Sequence, residues 1–365
     1  MSTKTQKIVF IIPNLGLGGM ERVMSELLHY FSKHTQHELH LVLYGIHRRI
    51  FYPIPNNIVV YRPQFEFNNK IRLWSTLKTL VYIRRTINNI QPDSILSFGE
   101  YWNNFVLLSL LGLKYPVYVS DRSQPNKSLG KFHDTLRNWL YPKAKGVICQ
   151  TEKARQIYKQ MFKHDNFTII GNPIKKINEA ENLAKEDIVL SVGRLIDTKH
   201  FDEMIQIFAD INNPAWKLII VGDNALQQDN KTPLQQMIDN LNMQDRIILA
   251  GRQSDVDRYY NKSKIFAFTS SSEGFPNVVG EAMSAGLPVV AYDCIAGPSD
   301  LIDDEKTGYL ISLHDTQTFK TKLIQLMENE DLIDEMGANA KQKINNNSLD
   351  VIGLKFKEAI LNENQ

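Results

Sequence analysis

Apolar residues in this chain fall mostly into short runs, separated by stretches in which apolar positions recur every three or four residues. The short runs read as strands buried on both faces, and the three-to-four spacing reads as amphipathic helix. In the first half the strand candidates are Lys7–Ile12, Glu38–Tyr44, Ser94–Phe98, Val117–Ser120 and Gly146–Cys149; in the second they are Ile188–Val192, Lys217–Val221, Arg246–Leu249, Ile265–Thr269 and Pro288–Tyr292. Strand and helix patterns alternate, which predicts parallel sheets covered by helices. At 365 residues the chain is also longer than one core usually grows. The expectation is an α/β protein of two doubly wound, Rossmann-like domains, breaking at Gly171-Asn-Pro173, where glycine and proline interrupt the pattern. Residues 1–172 form the first domain and 173–348 the second, with a C-terminal helix of about residues 349–365 packing back onto the first. Ligands of such sheets bind beyond the strand carboxyl ends, here in a cleft between the domains.

One helical stretch has two readings. Residues 70–85 combine Ile71, Trp74, Leu77, Leu80 and Val81 with five basic side chains. Such a helix can lie on a membrane surface, or it can cover a sheet with its basic face in water.

The net charge of +2 conceals a division. Residues 1–175 carry 24 Lys and Arg against 10 Asp and Glu, a balance of +14, and the remainder carries 18 against 30, a balance of −12. The basic half suits anionic lipid or a phosphorylated acceptor, while the absence of an aromatic-basic signature argues against nucleic acid. Cys149 and Cys294 lack partners at metal-ligand spacing and fit a reduced cytoplasmic protein. The apolar stretches 8–12 and 105–113 are too short for a signal core or a bilayer span. The expected location is therefore cytoplasmic, with peripheral attachment to the inner face of the membrane as an option. The nine histidines form no His-x-x-x-His or His-x-Glu pattern, so no zinc site is expected. Asp255-Val-Asp257 has the form of a metal-bound nucleotide-sugar motif, but its surroundings favour a helix start.

Three segments carry the candidate chemistry. After the first strand, Gly18 and Gly19 precede a helical pattern and can bring backbone close to a phosphate, although the spacing is not a dinucleotide fingerprint. After the strand opening the second half comes Gly193-Arg194, with Lys199 five residues on; two cations there can clamp a diphosphate and stabilise charge on a departing nucleotide. The third segment runs from Glu273 through Gly274, Phe275, Pro276, Asn277 and Val278 to Glu281, then to Gly286 and Pro288. It reads as a loop followed by a helix that begins near Pro276 and stops at Gly286. Carboxylates accept hydrogen bonds from sugar hydroxyls, and a turn and a half of helix, at roughly 1.5 Å per residue, sets these two at different parts of one extended ligand.

Taken together and in this order, with Cys294-Ile-Ala-Gly297-Pro298-Ser-Asp300 and Thr307-Gly308-Tyr following, these segments resemble the family 4 retaining glycosyltransferases of GT-B fold over nearly the whole chain. The resemblance implies that Arg194 and Lys199 hold the donor diphosphate, that Glu273 and the amides after it bind the donor hexose, that Glu281 holds the ribose, and that the backbone near Arg252 meets the base. The nucleotide sugar, with UDP as the expected carrier, is a substrate, and no cofactor or metal is expected. Many members carry a histidine where this chain has Arg122; the arginine can bind acceptor or donor phosphate, or form a strand-end ion pair with Asp121, and Glu100, Asn103, Asp121 and Arg122 are the acceptor-binding candidates. The implied reaction is front-face transfer with retention, since no second carboxylate with nucleophile spacing can be named. The closest resemblance is to enzymes extending bacterial surface or lipid-linked oligosaccharides. A UDP-sugar 2-epimerase and an inactive nucleotide-sugar-binding scaffold are the competing readings.

Overall fold

The computed structural model describes residues 5–45, 50–180, 183–225 and 228–361, so the last four residues of the expected C-terminal helix lie outside the described residues. The chain divides into two compact units, Met1–Pro173 with Leu349–Gln365, and Ile174–Ser348.

The first unit contains β1 (Lys7–Ile12), β2 (Glu38–Leu43), β3 (Ile58–Tyr61), β4 (Ser94–Phe98), β5 (Val117–Ser120), β6 (Gly146–Cys149) and β7 (Phe167–Ile169). The second contains β8 (Ile188–Val192), β9 (Lys217–Val221), β10 (Ile247–Gly251), β11 (Ile265–Phe268), β12 (Val289–Tyr292) and β13 (Gly308–Ile311). All pairings are parallel, in the orders β3-β2-β1-β4-β5-β6-β7 and β10-β9-β8-β11-β12-β13. Each unit therefore begins on a central strand, builds outward to one edge and then reverses. That reversal creates a switch point between β1 and β4 in one unit and between β8 and β11 in the other, where doubly wound sheets bind ligands.

Continuous apolar runs make these strands because both sheet faces are covered. Ile8, Val9, Phe10, Ile11 and Ile12 are all fully buried; Phe10 meets Phe31 of helix Gly19–His34 on one face, and Val9 and Ile11 join Ile83 and Ile87 of helix Arg72–Ile90 on the other. Each such side chain contributes roughly 1.5–3 kcal/mol on burial. The C-terminal helix, Leu349–Leu361, packs on helix Gly19–His34, where a Cβ on Gly353 would lie 2.3 Å from the Tyr30 ring.

Three strands have no counterpart among the sequence candidates, and all three are sheet edges. β3 and β7 are short and half exposed, so neither offers a continuous apolar run. β13 begins in Thr307-Gly308-Tyr, where glycine masks the strand pattern; a Cβ on Gly308 would come within 2.1 Å of the Val289 carbonyl oxygen, so only glycine lets these strands pair so closely.

Helix Arg72–Ile90 divides along its length. Its later turns cover the sheet through Ile83, Ile87 and Ile90, as a sheet-covering helix should. Its first turns are reversed: Ser75 and Thr79 point inward, while Leu73 (76% exposed), Trp74 (58%), Leu77 and Val81 face outward. Lys78 lies 5.8 Å from the Trp74 ring. Among the described residues no helix is long and apolar enough to cross a membrane.

Candidate active site

The second unit builds its site at the β8/β11 switch point. β8 ends at Val192, and Gly193 turns the chain across the sheet edge, its amide donating to Val221 O at 3.0 Å. A Cβ on Gly222, at φ +156°, would sit 1.7 Å from Gly193 O, so the two glycines make this crossing possible. The loop then forms a single 3₁₀ turn, Asp197–Lys199. Beyond β11, Thr269 donates from Oγ1 to Lys199 O at 2.8 Å, and the Ser271 amide donates to Thr198 O at 2.9 Å. These bonds tie the two strand-end loops side by side. As a result Lys199 Nζ and Glu273 Oε1 lie 2.5 Å apart, with about 15% of each side chain exposed, and the ammonium also lies 5.2 Å from the Phe268 ring. Two residues 74 apart in sequence form one ion pair at the point where the topology predicts a ligand.

The other donor-site candidates surround this pair in different ways. Arg194 is exposed, and its side chain has no partner among the described residues. Phe275 is buried, and Pro276 caps helix Asn277–Ser284, which begins one residue later than the sequence suggested. The Asn277 and Val279 amides turn back onto Phe275 O and Pro276 O, both at 3.0 Å, so these two are taken by the turn. Gly297, at φ +142°, lies so close to Pro276 that a Cβ would be 2.3 Å from its Cδ, which explains why the Gly297-Pro298 segment accompanies the loop. Glu281 accepts from the Tyr260 hydroxyl at 3.1 Å, which orients its carboxylate. Arg252 is exposed at the carboxyl end of β10, after Gly251 at φ +68°. Asp255 and Asp257 do not converge: Asp255 accepts from the Arg258 amide at a helix start, and Asp257 pairs with Lys175 at 2.7 Å.

In the first unit the β1/β4 switch point is lined by Gly18, Gly19 and Glu100. Gly18 precedes helix Gly19–His34, but the Glu21 carboxylate lies against it, within 2.2 Å of where a Cβ would be. Burial raises the Glu21 pKa, as expected for a carboxylate held out of water. The carboxylate therefore stands at the helix end where an anion was expected.

The acceptor candidates need correction. Asn103 and Asp121 are buried, at 0% and 2% exposure, and belong to an internal network. Asp121 pairs with the buried Arg137 and accepts from the Tyr141 hydroxyl at 2.5 Å and from Asn103 Nδ2 at 3.0 Å, while Ser97 Oγ donates to Asn103 Oδ1 at 2.7 Å. Neither residue presents a face to an acceptor. Asp121 was expected to pair with its neighbour Arg122 if it had a structural role, yet its cation comes from helix Lys131–Leu140.

Arg122 turns the other way. Its guanidinium stacks 3.9 Å from the Phe98 ring centroid and 5.5 Å from Phe356, and Nη1 donates to Asn172 Oδ1 at 2.6 Å. Nε and Nη2 are shielded from water without a hydrogen-bond partner. Burial pushes its pKa down to about 9, against the pull of Asp121 and Glu100, so it remains a cation at neutral pH with donors to spare. Glu100 accepts from the Arg122 amide at 3.3 Å and from Ser123 Oγ, which fixes this turn. Sequence reasoning also missed a hollow of about 210 Å³ elsewhere in this unit, walled by Tyr44, Tyr101, Trp102 and Phe105 with Arg72 also in its lining. The clustered aromatics at 101, 102 and 105 were the available signal.

Two parallel α/β units, one with a cation–carboxylate pair at its switch point, place this protein among the doubly wound folds that bind ligands beyond their strand ends. The family "Glycosyl transferases group 1" matches residues 173–343 and "Glycosyltransferase Family 4" matches residues 17–176, so the chain belongs to the group 1, family 4 glycosyltransferases. It is 27% identical to the amylovoran biosynthesis glycosyltransferase AmsD of Erwinia amylovora, over 89% of this chain and 91% of that protein. It is 26% identical, over 92% and 93%, to a Campylobacter jejuni α-1,4-N-acetyl-D-galactosaminyltransferase whose name specifies a diphospho-undecaprenol-linked acceptor. In fold it is similar to the crystal structure of Anabaena Alr3699/HepE in complex with UDP, with a TM-score of 0.82 and 18% identity over 96% of this chain and 98% of that one. The outer core galactosyltransferase WaaB gives 0.81 and 20%, over 98% and 99%. The fold is thus that of the GT-B glycosyltransferases, and the protein is an enzyme of glycosyl transfer.

Proposed function

We propose that this enzyme moves a hexose or N-acetylhexosamine from a UDP-sugar to a glycan or lipid-diphosphate-linked acceptor, with retention and without a metal at the reacting phosphates. The observation carrying this reading is the Lys199–Glu273 pair at the β8/β11 switch point. A donor would exchange that contact for two better ones, the ammonium meeting the diphosphate and the carboxylate accepting from sugar hydroxyls. Exposed Arg194 adds a second cation to the leaving group. Electrostatic stabilisation of the departing diphosphate then supplies the main catalytic term. Glu273, committed to hydroxyls, is unavailable as a nucleophile, which favours front-face attack in which the acceptor hydroxyl passes its proton to the departing phosphate.

The relatives support the chemical class of both substrates: the HepE structure contains UDP, and the C. jejuni enzyme is named for a lipid-diphosphate acceptor. In the first unit, Arg122 with its spare donors suits an acceptor phosphate, and the separate aromatic hollow suits a sugar ring. The outward Leu73, Trp74, Leu77 and Val81, flanked by Lys70, Arg72, Lys78 and Arg85, suit the surface of an anionic membrane that would carry such an acceptor.

Donor binding and transfer are the test, measured by calorimetry with UDP and by product analysis with a panel of UDP-sugars and lipid-linked acceptors. Glu273→Ala is expected to reduce transfer by about 10²–10³-fold, the size associated with losing one transition-state contact, while leaving UDP affinity nearly unchanged. Wild-type transfer by Glu273→Ala would overturn the site. Epimerised sugar formed from donor alone would replace the transferase reading with an isomerase.

A further inference from the structure

Beside Lys199 the second unit gathers three more side chains that the proposed transfer does not use. His200 stands at the end of the Asp197–Lys199 turn, Glu203 lies on helix Phe201–Ala209, and His314 follows β13. Their ligand atoms all lie within 4.8 Å of one another, and they form the one such group among the described residues. Both imidazoles present Nδ1 to the same carboxylate oxygen: His314 Nδ1 is 2.6 Å and His200 Nδ1 3.5 Å from Glu203 Oε1.

The outer atoms of two of the three are held in place. Glu203 Oε2 accepts from the Tyr292 hydroxyl at 2.8 Å, and His200 Nε2 bonds Ser271 Oγ at 2.7 Å. Carboxylates and imidazoles that ligate metals are oriented in this way by partners on their far atoms. The backbone shows the same commitment. His200 lies at φ +48° and His314 at φ +65°, left-handed conformations that non-glycine residues adopt uncommonly.

The geometry points to a binding site for a divalent ion of the zinc class, with His200 Nδ1, His314 Nδ1 and a Glu203 oxygen as ligands and a fourth position open to water. Two nitrogens and one oxygen suit Zn²⁺ or a neighbouring transition ion, and they are the wrong set for Mg²⁺, which takes oxygen ligands in an octahedron. Ligand bonds of about 2.0–2.1 Å in a tetrahedron set the donor atoms roughly 3.3 Å apart. The His200–Glu203 separation already fits, and the His314–Glu203 contact must open by under about 1 Å, a small rotation for the half-exposed His314 side chain. Local sequence patterns miss the site because His314 lies 111 residues from Glu203. An ion here would staple the loop after β13 to the turn that carries Lys199 and, through Ser271, to the strand-end loop that carries Glu273.

Zinc binding can be read without any donor sugar, so its failure would be separate from failure of the transferase reading. Chelator-stripped protein would be titrated with ZnCl₂ against a chromophoric zinc chelator, alongside His314→Gly and Glu203→Gln. His314→Gly suits the positive φ, Glu203→Gln keeps an acceptor for Tyr292, and metal-free thermal unfolding would verify that both fold. The expected result is one Zn²⁺ per chain, affinity lowered at least about 10-fold in each variant, and no displacement by Mg²⁺. Co²⁺ in the same place would show the visible absorption of a four-coordinate ion, lost in His314→Gly. No stoichiometric binding by the wild type, or equal binding by wild type and His314→Gly, would overturn the site.

Discussion

The two units share the order of their first six strands and differ in how the charged residues at their strand ends are held. In the second, the charged residues at the strand ends stay near the surface: Arg194 is exposed, and Lys199 with Glu273 remains partly accessible. In the first, Asp121, at the end of β5, is sealed among Arg137, Tyr141 and Asn103. Topology sets where a ligand can bind, but a strand-end charge acts on a ligand only if the fold leaves it unneutralised. A carboxylate with a buried arginine partner is part of the core.

That contrast breaks most visibly through stability. Removing one partner of a buried, hydrogen-bonded ion pair leaves the other charge stranded and costs about 3–5 kcal/mol. Asp121→Ala should therefore lower the free energy of unfolding in urea by that amount, whereas Glu273→Ala, which releases a partly exposed pair, should change it by about 1 kcal/mol or less. Equal losses in the two variants would show that the two pairs are equally buried in their effect.

Binding gives the next largest effect. Arg194→Ala removes an exposed cation from the proposed diphosphate site and should weaken UDP by about 10–100-fold, the 1.5–3 kcal/mol of a charge-assisted hydrogen bond, with transfer falling at least as far. Arg122→Met keeps the stacking on Phe98 and removes only the charge and donors. It should leave UDP affinity unchanged while raising the acceptor KM. Loss of UDP binding in Arg122→Met would move that arginine to the donor.

The same contrast explains what could be read from the sequence. The central strands and both switch-point loops were legible because burial on both faces demands continuous apolar runs and because crossing a sheet edge demands glycine, as at Gly193. The edge strands β3 and β7 were not, since half-exposed strands need no such run. Glu273 and Lys199 could be named from their motifs, but their contact depends on Thr269 and Ser271 holding two loops together. Asp121 was misread because its partner, Arg137, comes from a helix that no local pattern connects to it. The His200, Glu203 and His314 group was invisible for the same reason.

The smallest expected effect concerns the surfaces rather than the sites. Counted by unit, the first carries 25 Lys and Arg against 13 Asp and Glu, a balance of +12, and the second 17 against 27, a balance of −10, so attachment to an anionic bilayer should depend on the first unit alone. Its outward face on helix Arg72–Ile90 joins Trp74 and Leu77 to Arg72, Lys78 and Arg85, and those apolar side chains support no core. Changing the three basic residues to glutamine should weaken binding to phosphatidylserine vesicles by about 1 kcal/mol per charge, and the difference from wild type should shrink as salt shortens the Debye length below about 10 Å. Trp74→Ser should weaken binding at every salt concentration, because its contribution is burial rather than charge, and should leave thermal stability unchanged. Vesicle sedimentation separates the two terms: a wild type that never pellets at low salt would show that the exposed apolar turns serve something other than a membrane.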